Sequence, residues 1–197
     1  MTQTVAARPV PLSRVWSHNK IIADDLQGDD LGDVLELHSE ASAWWVLPRQ
    51  HEEVSIQLRD AASALDLDDL AMKDLVAEDR RATFEELGHA RLVTTNAVIL
   101  DRQTAELTVH AVSMVTTDRA MICLVDPVGD EFNPAHLLAK KSDQLADGGV
   151  ECALQLVLGA VISTYENAVE WLEDSNDQLA NALFEERPLN KFEQLWA

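Results

Sequence analysis

The sequence has few of the residues that mark common functional sites. Its two cysteines, Cys123 and Cys152, are far apart and form no CxxC pair, which argues against a disulfide framework and favours a reducing compartment. Only 15 lysines and arginines stand against 35 aspartates and glutamates, a formal net charge of −20. Because phosphate contacts need a basic surface, this balance argues against nucleic acid as a partner.

Catalytic and cofactor motifs are also lacking. The sequence contains no GxSxG, no Walker loop and no GxGxxG, and no nucleophile has a neighbouring base. The six histidines show no metal-ligand spacing. They are His18, His38, His51, His89, His110 and His136. We therefore predict that the chain is not an enzyme.

No long hydrophobic run is present. The longest, "ALQLVLGAVI", has ten residues and includes a glutamine, whereas a membrane-spanning helix needs about 20. The N-terminus has no apolar segment of the kind found in signal peptides. We expect that the chain, as given, does not enter a membrane.

The pattern of apolar and turn residues predicts an α+β fold. "RVWS", "KIIAD" and "SAWWVLP" are predicted strands, and "LGDVLELH" is a predicted helix with its cap near Asp30. A helix is allowed over residues 52–65, and "LAMKDLVAE" is a predicted helix capped by Asp66, Asp68 and Asp69.

Four consecutive strands, "ATFEEL", "HARLVTTNAVILD", "AELTVHAVSMVTT" and "AMICLVD", then predict an antiparallel meander. Asn133 and Pro134 begin a further helix, which ends at residues 147–149. The fold class is an α/β/α sandwich, with a mixed, largely antiparallel sheet flanked by helices and a long C-terminal helix that projects as a stalk.

This long helix is predicted to begin near Val150. Residues 154–186 alone would extend for ~50 Å, whereas a domain of this size has a radius of gyration of ~16 Å. The sequence therefore predicts three segments in the chain: a flexible lead-in (1–13), the α/β domain (14–149), and the long helix with the start of a stalk (150–197). The predicted apolar seam comprises Leu154, Leu158, Val161, Tyr165, Ala168, Leu172, Leu179 and Leu183.

An acidic stripe lies beside the seam and needs water, cations or a basic neighbour to offset its repulsion. It comprises Glu166, Glu170, Glu173, Asp174 and Asp177. After the break at Pro188, "LNKFEQLWA" begins another amphipathic segment, and its apolar face indicates that the partner of the seam lies beyond Ala197.

Three stretches in order resemble the N-terminal cytoplasmic domain of CorA-type divalent-cation transporters, from about Ala43 to Trp196. They are "SAWWVLPRQHEE", "LDLDDLAMKDLVAEDRRATFEEL" and "LVLGAVISTYENAVEWLEDSNDQLANALFEERP". Lys73 replaces a frequent glutamate of the family, and Asp68 replaces a frequent proline. The Gly-Met-Asn signature and the two membrane helices would lie beyond Ala197.

The resemblance implies a regulatory domain at the cytoplasmic face of the inner membrane, in a homopentamer whose only membrane contact is through those missing helices. It implies Mg²⁺, Co²⁺ or Ni²⁺ as the ion, with Asp74 contributing to an Mg²⁺ site between protomers. At a second family site this chain has Thr164, with Glu166 two residues on as a weak candidate ligand. A ZntB-like zinc transporter and a soluble acidic scaffold that binds another protein are the alternatives.

Overall fold

The computed structural model describes residues 12–26, 28–49, 58–59, 62–63, 65–67, 69–77, 81–126, 128–129 and 131–184. In this part of the chain the strands are β1 (Ser13–Ser17), β2 (Lys20–Asp24), β3 (Ser42–Leu47), β4 (Thr83–Leu87), β5 (Ala90–Asp101), β6 (Glu106–Thr116) and β7 (Ala120–Val125). The helices are α1 (Gly28–Leu37), α2 (Asp69–Val76), α3 (Pro134–Lys140) and α4 (Ser142–Phe184).

The strands form a seven-stranded sheet in the order β2-β1-β3-β7-β6-β5-β4. Only β3 and β7 pair in parallel, and the other neighbours are antiparallel. The predicted mixed, largely antiparallel sheet and its β4–β7 meander are therefore confirmed. Strand β7 is buried along its whole length because helices cover both faces of the sheet at its centre.

Each face of the sheet has its own core. On one face Trp44, Met114 and Met121 pack with Leu138 of α3 and Val157 of α4. On the other face α1 and α2 cover the sheet. The apolar residues of that second core include Leu31, Leu35, Trp45, Leu75, Leu92 and Ile122. The two cores make the molecule the predicted α/β/α sandwich.

Helix boundaries follow the local sequence in most places. Asn133 caps α3 by accepting a hydrogen bond from the His136 amide at 3.0 Å, and Pro134 is the first helical residue. The cap predicted near Asp30 was wrong, because α1 already begins at Gly28 and its acidic residues fall in the first turn, which the helix dipole favours. The helix predicted over residues 52–65 lies largely outside the described residues, as does Asp68.

The predicted helix from Asn133 to residues 147–149 is divided at Lys141, and the second part runs on into the long helix. Two helical segments meet within α4 at Gly149, which has φ 60° and ψ −153°. The expected change at residues 147–149 is therefore a bend within α4. On either side of it Asp147 accepts a hydrogen bond from Asn19 at 2.8 Å, and Glu151 pairs with Arg91 at 3.0 Å.

The line of α4 that packs on the sheet differs from the predicted seam. Val150, Ala153, Val157, Val161, Thr164 and Ala168 are buried. Leu154 and Leu158 are only half-buried, and Tyr165 is 44% exposed. Val161 and Ala168 belong to both lines, but elsewhere the sheet packs against smaller residues of the helix, and Ala and Val allow close approach of the helix to the strands.

By length and composition, Ser142–Leu183 of α4 could span a membrane, and 28% of its most apolar window is buried in this fold. The same test is met by core helices of soluble proteins, and the first half of α4 packs on the sheet from Val150 to Ala168. Length and composition alone therefore do not make α4 a membrane span.

Candidate functional site

Asp74 lies on α2, where it is half-buried and takes part in an interaction with the surrounding protein. The helix is fixed beneath it by Leu75, whose side chain is fully buried. Arg49 fixes the C-terminal end, since its guanidinium donates to the carbonyls of Val76 at 3.3 Å and Ala77 at 3.5 Å. The helix that carries Asp74 is thus held in place by the buried Leu75 and by the hydrogen bonds from Arg49.

Arg49 itself is anchored in the sheet. Its Nη2 atom donates to the Ser113 hydroxyl at 2.7 Å and to the Leu124 carbonyl at 3.4 Å. One arginine therefore ties α2 to β6 and β7. No local pattern signals this role beyond the position of Arg49 two residues after the end of β3.

Thr164 and Glu166 lie on opposite sides of α4. Thr164 is 6% exposed, and its hydroxyl is occupied by the Val98 amide and the Val161 carbonyl. Glu166 is exposed to solvent, because two residues along a helix turn the side chain by about 200°. The Glu166 carboxylate therefore points away from the side of α4 on which the Thr164 side chain lies.

Asp74 and Glu166 lie on opposite faces of the sheet. The helix of Asp74 covers the core that contains Leu75, whereas the helix of Glu166 covers the core that contains Val157. Within the described residues, no group of three His, Cys, Asp or Glu side chains could hold a metal ion. Because the sheet separates the two carboxylates, they cannot ligate one ion within one protomer.

The acidic stripe of α4 is exposed along its whole length, as predicted. A second exposed feature, which the predicted seam only partly includes, lies beside it. Ile162, Tyr165, Val169 and Leu183 are 58%, 44%, 51% and 62% exposed. With the half-buried Leu158, Leu172 and Leu179, they follow the alternating spacing of three and four residues that is typical of a helix–helix seam.

This exposed seam is the line of residues Leu158, Ile162, Tyr165, Val169, Leu172, Asn176, Leu179 and Leu183. It shares five of its members with the predicted seam but is rotated away from the sheet. Hydrophobic periodicity alone could have found it, since its spacing is more regular than that of the line that packs on the sheet. The described part of the chain thus leaves an apolar surface and an acidic surface side by side on α4.

Comparisons with known proteins agree with this geometry. The family described as CorA-like Mg²⁺ transporter protein matches residues 39–197. A search of curated protein sequences finds no significant match. Among solved structures, the chain is similar to the soluble domain of CorA from Methanocaldococcus jannaschii, with TM-score 0.62 and 13% identity over 89% of this chain and 66% of that one.

Two further structures show the same fold. Full-length CmaX matches with TM-score 0.64 and 19% identity over 91% of this chain and 53% of that one. The ZntB cytoplasmic domain from Vibrio parahaemolyticus RIMD 2210633 matches with TM-score 0.52 and 11% identity over 70% of this chain and 55% of that one. The chain therefore spans between 53% and 66% of the length of these three relatives.

The fold defines the class of protein. An α/β/α sandwich that carries a long C-terminal helix is the architecture of the soluble domain of CorA. The family match covers most of the chain, and the chain belongs to the CorA-like Mg²⁺ transporter protein family.

Proposed function

We propose that this chain is the regulatory cytosolic domain of a CorA-like divalent-cation transporter, in which Mg²⁺ bound between neighbouring protomers stabilises the closed assembly. The family match carries the proposal. The position of Asp74 and Glu166 on opposite faces of the sheet supports it, because the two carboxylates cannot share one ion within a protomer, whereas a neighbouring protomer could supply a second carboxylate. A homopentamer at the cytoplasmic face of the membrane is the proposed assembly.

Mg²⁺ is the proposed ion, with Co²⁺ and Ni²⁺ as further substrates of the intact transporter. Asp74 offers a hard carboxylate oxygen, and Mg²⁺ is commonly held by one or two carboxylates with several waters retained. Zn²⁺ prefers nitrogen and sulfur ligands. The likeness to a ZntB domain keeps zinc transport as the alternative within the same fold.

Calorimetry at low ionic strength tests the ion. We expect millimolar binding of Mg²⁺ to the isolated chain, because one carboxylate alone binds Mg²⁺ weakly. Zn²⁺ that binds more tightly than Mg²⁺ at a site lost in Asp74→Asn would favour the ZntB-like alternative. A micromolar Mg²⁺ site that Asp74→Asn leaves unchanged would place the ion elsewhere.

Sedimentation tests the assembly. Mg²⁺ should increase association of the wild-type chain, and Asp74→Asn should remove the increase. Asp33→Asn is the matched control, since Asp33 is an exposed carboxylate on the neighbouring helix α1. If both variants lose the Mg²⁺-dependent increase equally, the increase is a general charge effect. If Mg²⁺ does not change the association of the wild-type chain, the protein-binding scaffold is favoured.

A further inference from the structure

The helix that carries Asp74 is too short to set its own position. Helix α2 has eight residues, and helices of this length are marginal without tertiary contacts. Of the side chains described in α2, Ala71 and Leu75 are the buried ones. Because apolar contacts are non-directional, they hold the helix on the sheet without fixing its exact placement. That placement depends on hydrogen bonds.

Arg49 supplies directional contacts between α2 and the sheet. Its Nη1 atom donates to the carbonyls of Val76 and Ala77, and its Nη2 atom donates to the Ser113 hydroxyl and the Leu124 carbonyl. A guanidinium is planar and presents its donors in a rigid fork, so it relates the helix end to the strands in one geometry. A cation at the C-terminal end of a helix is also favoured by the helix dipole.

Asp74 lies in the same final turn of α2 as the Val76 carbonyl that Arg49 binds. A shift of this turn would therefore shift the carboxylate with it. Mg²⁺ demands near-ideal octahedral geometry with ligand distances of about 2.0–2.1 Å, so it tolerates little displacement of a ligand. Groups that orient a metal ligand without touching the metal change its affinity by roughly 10–100-fold when they are replaced.

Arg119 offers an internal comparison, because it holds the end of α1 by the same chemistry. It lies in the turn between β6 and β7 and donates to the carbonyls of Leu35, of His38 at 2.6 Å and of Ala41 at 3.2 Å. Helix α1 covers the same face of the sheet as α2 but carries neither candidate metal ligand. The two arginines therefore differ in which helix they hold.

We propose that Arg49 is a positioning residue for the ion site of Asp74. By holding the C-terminal end of α2 against β6 and β7, Arg49 places the carboxylate where a neighbouring protomer completes the coordination of Mg²⁺. Arg49 acts through the helix, and the role requires no contact with the ion. The inference rests on the proposed function of Asp74.

The test compares Arg49→Lys with Arg119→Lys in the Mg²⁺-dependent association of the full chain, measured by sedimentation over a series of Mg²⁺ concentrations. Lysine keeps the net charge of the chain but lacks the rigid fork of donors. Arg49→Lys should raise the Mg²⁺ concentration at half-maximal association by about tenfold. Arg119→Lys should leave it unchanged.

Ser113→Ala is a milder variant for the case in which Arg49→Lys does not fold. It removes the 2.7 Å hydrogen bond to the sheet and keeps the arginine, so the half-maximal Mg²⁺ concentration should rise by a smaller factor. Amide hydrogen exchange without Mg²⁺ gives a second measurement. Arg49→Lys should lower the protection of α2 and leave that of α1 unchanged, and Arg119→Lys should do the reverse.

Three results would overturn the inference alone. They are equal shifts in the two lysine variants, which would show general destabilisation; a wild-type response to Mg²⁺ that Arg49→Lys, or Ser113→Ala in its place, leaves unchanged; and a shifted response with unaltered protection of α2, since Arg49 would then not act through the helix. A wild-type chain whose association ignores Mg²⁺ would instead overturn the proposed function, and this inference with it.

Discussion

The hydroxyl of Thr164 joins α4 to β5 beyond the end of the pairing between β5 and β4. It accepts a hydrogen bond from the Val98 amide at 3.0 Å and donates one to the Val161 carbonyl at 2.7 Å. Strand β4 pairs with β5 only as far as Thr94, so Val98 lies beyond the reach of that neighbour. The Thr164 side chain thus accepts the backbone hydrogen bond that a neighbouring strand would otherwise accept at this edge.

Replacing Thr164 by Val should destabilise the protein. The valine keeps the shape but leaves the Val98 amide without its acceptor, which costs about 1–3 kcal/mol. Thr164→Ser is the control, because it keeps the hydroxyl and loses one methyl group. Urea unfolding measures both variants, and a Val variant as stable as the wild type would show that this bond contributes nothing.

Gly149 should be intolerant of a side chain, whereas Gly159 should tolerate one. Gly149 has φ 60° and ψ −153°, a region that only glycine adopts readily, and forcing another residue there costs about 1–3 kcal/mol. Gly159 lies within the regular part of α4, and a Cβ atom placed on it would meet nothing within 4 Å. Gly159→Ala should therefore gain about 0.5–1 kcal/mol.

Thermal and urea unfolding of the two alanine variants check this contrast. Because both substitutions add the same methyl group to the same helix, the difference isolates the backbone conformation at the bend. Equal stabilities would mean that α4 can straighten through Gly149 without loss.

Much of the fold follows from the sequence because its signals are local. The β4–β7 meander is confirmed where Val, Ile and Thr alternate between turns, and α3 begins at its Asn133–Pro134 signal. The rotation of α4 on the sheet was missed, since the choice between two apolar lines depends on the shape of the opposing strands. Contacts such as Arg49 with Ser113 and Thr164 with Val98 join residues more than 60 positions apart, and no local pattern encodes them.

The candidate site was only partly predictable for the same reason. A sequence places Asp74 and Glu166 on helices, but only the sheet shows that the helices lie on opposite faces. Helical periodicity alone was enough to predict the acidic stripe of α4, and all of its residues are exposed. Asp74 and Glu166 as metal ligands stay predictions.

Stability should fall at alkaline pH because of Cys123. Burial raises the pKa of its thiol from 9.0 to about 12, and nearby Arg49 offsets only part of this effect. Above pH 9 the unfolded chain loses this proton while the folded chain keeps it, so stability falls as pH rises toward 12. Within that window each pH unit lowers the equilibrium constant for folding by up to about tenfold.

Urea unfolding of the wild type and Cys123→Ala at pH 8 and at pH 10 measures the effect. The alanine variant is less stable at pH 8 because it leaves a cavity, but its disadvantage should shrink at pH 10. Other titrating groups contribute equally to both proteins and cancel in the difference. A disadvantage that stays constant with pH would show that the thiol is accessible to base in the folded state.

The apolar surface of α4 should cause the isolated chain to self-associate or to fray toward its C-terminus. Ile162 and Val169 are more than half exposed on the exposed seam, and exposed apolar patches of this kind favour association. The same expectation holds for Leu179 and Leu183, and for Phe192, Leu195 and Trp196, which lie outside the described residues.

The double substitution Ile162→Lys and Val169→Lys should shift the chain toward monomer, as measured by light scattering across a concentration series. Charged side chains on the seam remove the apolar contact and lose little stability, because the wild-type residues are already exposed. Ile21→Lys with Ile22→Lys is the control, since these residues are 49% and 40% exposed on the edge strand β2. If the wild-type chain is strictly monomeric and its amides are strongly protected up to Leu195, the seam needs no partner and the prediction is wrong.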